Sequence, residues 1–171
     1  RERYDTSIKS DFITQKLNIW ITEQLGIRVC PYCNNHYIDN RGKTNATAQL
    51  DHFYNKSTYP ILALSLYNLV PSCSACNHIK GKKNISISPY ESLLSDNQLL
   101  SFSYHPTASD FLWNSENLAI EMHCLDDKQS LLKNIKAMNI DEAYRLHTDH
   151  LQEILKKRQI YNKDQIAWLQ S

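Results

Sequence analysis

The stretch Cys73-Ser74-Ala75-Cys76-Asn77-His78-Ile79-Lys80-Gly81-Lys82 joins a C-x2-C pair to a polar run that a glycine stops. Ser74 to Lys80 reads as a short helix closed at Gly81, and on it Asn77 and Lys80, three residues apart, share one face. A second C-x2-C lies upstream at Cys30-Pro31-Tyr32-Cys33. Together the pairs supply four soft thiolates, the ligand set of a closed tetrahedral Zn2+ site with Zn–S near about 2.3 Å. The separation of forty positions between Cys33 and Cys73 exceeds a usual zinc-ribbon loop, so a sizeable insertion lies between the two knuckles. Cys124, the fifth cysteine, reads as a small buried hydrophobe.

Cys30-Pro31-Tyr32-Cys33 also resembles the active site of glutaredoxins, where the first thiolate is activated at a helix N-terminus. Here the following residues, Asn34-Asn35-His36-Tyr37-Ile38-Asp39-Asn40-Arg41-Gly42, are rich in turn formers and lack a helical apolar period. A redox reading leaves the second C-x2-C without a role, so the zinc reading is preferred.

Between the knuckles, Leu50-Asp51-His52-Phe53 sets a carboxylate beside an imidazole in a strand-like segment spanning residues 47–54. Neighbours on a strand point to opposite faces, so both can serve one site only if the chain turns there. Asn68 follows in Leu66-Tyr67-Asn68-Leu69-Val70-Pro71, ahead of the second knuckle.

This composite, from Cys30 to Lys83, resembles the HNH (ββα-metal, His-Me finger) endonucleases, in their zinc-stabilised branch. The resemblance implies His52 as general base, Asn68 as the residue that orients it, and Asp51 with Asn77 as ligands of one catalytic divalent ion. His78 does not fall on the matching position and would serve only in a shifted helix register. A side-chain oxygen of Asn68 could hold one ring nitrogen of His52 protonated, leaving the other to accept a proton from water. A carboxylate and an amide oxygen form a sparse hard site suited to Mg2+ or Mn2+, distinct from the structural Zn2+. The run from Tyr59 to Cys73 is also similar to HNH effectors encoded beside an ATPase in bacterial antiphage systems, which implies an ATPase-type protein partner and a bacterial cytoplasmic setting.

Composition is compatible with this. The chain has 171 residues, 42% of them apolar and 22% charged, in the globular range and outside the range of disorder. Net charge is +1, but it is unevenly spread. Residues 1–40 balance; residues 41–83 carry Arg41, Lys43, Lys56, Lys80, Lys82 and Lys83 against Asp51 alone, a net +5; residues 84–171 sum to −4. Lys80, Lys82, Lys83, Lys56 and Arg41 are therefore the expected phosphate contacts for DNA, with RNA as the alternative polymer, and Tyr54 or Tyr59 could meet sugar or base. The longest apolar stretch, Pro60 to Pro71, is too short and too interrupted for a membrane span, and no secretory signal is visible behind the charged start. The absence of an initiator Met fits a fragment of a longer chain.

Outside this segment the pattern is structural. Asp11 can cap a helix with Ile13, Leu17, Trp20, Ile21 and Leu25 on one face, closed by Gly26. Leu100, Phe102 and Tyr104, then Leu118, Ile120, Met122 and Cys124, alternate as two strands of a hairpin around Phe111 to Glu116. Leu131, Leu132, Ile135 and Met138 mark a helix, and Asn139 with Glu142 forms a capping signal for another running toward Trp168. His147 and His150 lie three apart on that helix, without a third ligand evident, and His36, His105 and His123 read as structural or exposed.

The expectation is an α+β fold in three parts: an N-terminal helical segment (1–29), a zinc-knuckle ββα core (30–90) and a β-hairpin with helices (91–171). The expected function is a metal-dependent endonuclease. The alternative is a zinc-stabilised nucleic-acid or protein binding module whose ββα element is catalytically silent.

Overall fold

The computed structural model describes residues 16–92, 100–124, 129–161, 165, 167 and 168. The fold is α+β and divides into two compact units, Arg1–Asp96 and Asn97–Ser171. Asp11 and Ile13 lie outside the described residues.

Helix α1 (Leu17–Leu25) opens the first unit and ends on Gly26, whose φ of 62° is the left-handed stop the sequence marks. It buries Ile19, Ile21 and Thr22, whereas Leu25 stays exposed. Side-chain amides anchor the first turn of the helix: Asn18 Nδ2 donates to the Ala48 carbonyl (2.8 Å) and Asn40 Nδ2 to the Ile19 carbonyl (3.3 Å). These bonds tie α1 to the rest of the first unit.

Strands β1 (Gln49–His52) and β2 (Leu69–Ser72) pair antiparallel, with Asp51 opposite Val70 and His52 opposite Leu69. All four residues of β2 are buried. Pro71 is tolerated because a two-stranded sheet has only edge strands. Helix α2 (Ser74–Lys80) follows at once and packs on β1, completing a ββα unit. Its C-cap is Gly81 at φ 48°, as the sequence indicates. A short helix α3 (Pro89–Ser92) brings the Tyr90 hydroxyl to the Leu69 carbonyl, to which it donates.

In the second unit β3 (Leu100–Pro106) and β4 (Leu118–Cys124) form the expected antiparallel hairpin, from Leu100 opposite Cys124 to Pro106 opposite Leu118. Helices α4 (Gln129–Ala137), α5 (Ile140–Arg145) and α6 (Thr148–Ile160) complete it. Gln152 of α6, itself buried, donates to the Phe111 carbonyl at 3.0 Å. The capping box expected at Asn139 does not form. Asn139 sits at φ 52°, ψ 39° with no side-chain cap bond, and Glu142 instead pairs with Arg145 at 2.8 Å. A capping side chain reaches back from extended backbone; Asn is used here because it tolerates the left-handed turn between α4 and α5. Asn139→Gly is accordingly expected to be neutral and Asn139→Ala to cost about 1 kcal/mol in chemical denaturation.

Candidate functional site

The two knuckles converge. Cys30 and Cys33 lie on a tight turn in which the Asn34 amide donates to the Cys30 carbonyl at 2.7 Å, with Asn34 at φ 49°. The turn is clasped by a bridge between Val29 and Tyr37 and by the Cys30 amide on the His36 carbonyl (2.9 Å). Cys73 caps α2, its sulfur accepting from the Cys76 amide at 3.4 Å. All four cysteines are buried and their Sγ atoms lie within 4.8 Å of one another. Four ionised thiols cannot crowd so closely unaided: Cys33 is held well below the usual thiol range as the acceptor of hydrogen bonds from Cys30 and Cys76, while hydrogen bonding to Cys33 and burial push Cys30 up to about 12. Cys76 is raised for the same reasons. A soft divalent cation would take the place of those protons, and this donor set fits Zn2+. His36 Nδ1 stands 3.6 Å from Cys33 Sγ, outside the ligand set.

Asp51 and His52 do not share a site. The strand stays extended through both residues, and the Phe53 amide still donates to the Asn68 carbonyl (2.9 Å), so the turn that would unite them is absent. Gln49 and Asp51 lie on the β1 face that α2 covers. There Asn77 Nδ2 donates to Gln49 Oε1 at 2.7 Å, and Lys80 Nζ lies 3.1 and 3.0 Å from the two oxygens of Asp51 and donates to the His52 carbonyl at 2.7 Å. The Tyr32 hydroxyl, from within the first knuckle, donates to Asp51 Oδ2 at 2.6 Å. Burial, then the charge of Asp51, pushes the Tyr32 phenol far above its usual range, so it remains a donor.

Two expectations change as a result. Lys80 is not a phosphate contact: it is 1% exposed and its charge is spent on Asp51. Asp51 is 3% exposed with both oxygens engaged by Lys80 and Tyr32, so the Asp51–Asn77 pair does not fit a divalent ion in this arrangement. Tyr32 has no sequence signal apart from its place between two cysteines. Breaking the pair leaves a buried charge uncompensated. Lys80→Met is therefore expected to destabilise the first unit by about 3–5 kcal/mol, measurable as a drop in denaturant midpoint.

Asn68 also has a different part from the one expected. Its Oδ1 accepts from the Tyr54 amide (2.7 Å), and its Nδ2 donates to the carbonyls of Tyr54 (3.1 Å) and Leu62 (2.9 Å). It staples the loop between β1 and β2 and makes no bond to the His52 ring. That ring is held by the same loop: His52 Nε2 lies 3.1 Å from the Ala63 carbonyl. A carbonyl only accepts, so Nε2 is the donor in this bond and, in the neutral ring, Nδ1 is the acceptor nitrogen. Asn68→Ala is expected to cost about 2 kcal/mol and to loosen the loop, seen as faster amide exchange at Tyr54.

Arg41, Lys56, Lys82 and Lys83 are all exposed. Tyr54 and Tyr59 are exposed as well and meet edge to face at 5.7 Å. Gln49, Ser74, Asn77, His78 and Gly81 line an open depression of about 630 Å³, which places His78 beside Asn77 on one surface.

In the second unit Asp149 joins His147 and His150, with ligand atoms within 4.8 Å of one another. The two rings stack at 5.4 Å and 9°, at the start of α6, where the helix dipole opposes a cation.

No family model matches the chain, and no solved structure matches it. Protein ea31 of Escherichia phage lambda is 27% identical over 150 residues, covering 78% of this chain and 46% of that protein. The chain thus spans about half the length of the curated relative it matches. Among the described residues no helix is long and apolar enough to cross a membrane.

Proposed function

We propose that the chain is an HNH-type endonuclease that hydrolyses phosphodiester bonds in DNA, with His52 as general base. The observation that carries this reading is the placement of His52: a half-buried imidazole at the end of β1 whose Nε2 lies 3.1 Å from the Ala63 carbonyl, an arrangement in which the neutral ring has Nδ1 as its acceptor. In-line attack on phosphorus needs such a group to take a proton from water. The ββα unit and the four-cysteine cluster agree with the resemblance of the Cys30–Lys83 segment to the zinc-stabilised HNH enzymes.

That resemblance brings a requirement for Mg2+ or Mn2+, whose chemistry would be to offset charge on the phosphate and leaving oxygen. Asp51 would first have to leave Lys80, so no step is assigned to the ion. A bacterial cytoplasmic antiphage role under an ATPase-type partner belongs to the same proposal. The test is cleavage of plasmid DNA by zinc-loaded protein, with and without Mg2+ or Mn2+. The engagement of Asp51 by Lys80 and Tyr32 favours a second reading, a zinc-stabilised binding module that does not cut. Folded protein that binds plasmid yet leaves it intact under every ion condition would favour that module.

A further inference from the structure

The loop from Phe53 to Asn68 is ordered without being buried. Two 3-10 turns, Pro60–Leu62 and Leu66–Asn68, are tied by the amides of Leu62, Ala63, Ser65 and Asn68 onto carbonyls three residues back, at 3.0–3.1 Å. Asn68 staples both ends. Yet the loop holds Ile61, Leu64 and Tyr67 out at 91%, 90% and 89% exposure, with Tyr54 and Tyr59 about half exposed. Burial in the fold does not account for side chains so fully in water, and a ridge already rigid loses little entropy on binding.

Charge selects the partner. Asp51 is the sole acid among residues 41–83, and it is buried against Lys80. Every exposed charge of that segment is therefore positive: Arg41, Lys43, Lys56, Lys82 and Lys83. Lys56 lies in the loop itself. An apolar and aromatic ridge that carries Lys56, in a segment whose exposed charges are all positive, matches a polyanion with exposed π faces, a nucleic acid whose bases are unstacked. The same loop supplies the Ala63 carbonyl that holds His52.

We infer that the 53–68 loop is a wedge that packs Ile61, Leu64 and Tyr67 against unpaired bases, so that the chain prefers single-stranded or locally opened nucleic acid to smooth duplex. Resting on the nuclease reading, this names the form of its substrate, strand opened beside the general base.

The test is fluorescence anisotropy with a labelled single strand of DNA, the same strand as RNA, a blunt duplex and a duplex with a central bubble, all at one salt concentration without divalent ions. Wild type is compared with the triple variant Ile61→Ser, Leu64→Ser, Tyr67→Ser. These positions are exposed, and zinc content with the melting curve verifies folding. Wild type is expected to bind single strand and bubble at least about tenfold tighter than duplex. The variant is expected to lose about 10- to 100-fold on those two probes, with an unchanged salt slope because no cation is removed. The DNA and RNA strands together show which sugar is preferred. Equal wild-type affinity for duplex and single strand, no binding to any probe, or a variant that binds as wild type does overturns the wedge. In the last case, loss of self-association by the variant in sedimentation would mark the ridge as a protein contact. Binding is measured apart from cutting: ridge-dependent binding without cleavage upholds the wedge and sinks only the nuclease reading, whereas His52-dependent cleavage with unselective binding does the reverse.

Discussion

Replacing Cys76 by serine is expected to abolish zinc binding and unfold the first unit, the largest stability effect in the chain. Structural Zn2+ contributes on the order of 10–16 kcal/mol in small zinc modules, which matches or exceeds the whole stability of an ordinary domain. The knuckles tie three elements together: Cys30 and Cys33 hold the turn after α1, and Cys73 and Cys76 hold the junction of β2 with α2. A serine hydroxyl is a poor substitute for the thiolate. Metal analysis should give one zinc per wild-type chain and none for Cys76→Ser, and the thermal transition of the first unit should disappear. Acidification should act similarly, because protons compete with the ion for thiolate, so zinc retention falls as pH falls. A Cys76→Ser protein that keeps its zinc and its melting curve would remove the cluster from the account of the fold.

His52→Ala is expected to reduce DNA cleavage by about 10²–10⁴-fold while zinc content and melting temperature stay close to wild type, the largest effect on activity. The reasoning is geometric. The ring is half-buried and is held by the bond from Nε2 to the Ala63 carbonyl, so its removal costs the fold little. What it removes is the lone pair on Nδ1. Plasmid cleavage by matched, zinc-loaded preparations measures this directly. A variant within tenfold of wild type would take His52 out of the role of base.

Patterns set by near neighbours in the chain were legible from the residues. The Ser74–Lys80 helix with its Gly81 stop and the alternation that makes β3 and β4 follow from local steric and periodic rules, whereas the two distant C-x2-C pairs were legible through the chemistry of a four-thiolate ligand set. The Asn139 signal misleads for a related reason: Asn serves both caps and left-handed turns, and only the backbone decides between them.

The candidate site was less legible, because its decisive contacts join residues far apart in sequence. Asp51-His52 reads as one chemical unit, yet strand alternation sends the carboxylate under α2, where Lys80, 29 residues away, and Tyr32, 19 residues away, meet it. Nothing local to Lys80 separates it from its exposed neighbours Lys82 and Lys83. Likewise Asn68 does not take the part that the resemblance implies: its amide staples the loop, and the Ala63 carbonyl meets the imidazole.

The α+β class, the four cysteines that cluster and the basic character of residues 41–83 could all be read from the chain alone. Packing settled which charge is buried, which imidazole nitrogen faces the Ala63 carbonyl and which apolar side chains stay in water. The reason is desolvation: a helix laid across a strand forces the buried charge beneath it to find a partner, and that demand arises only when the two elements pack.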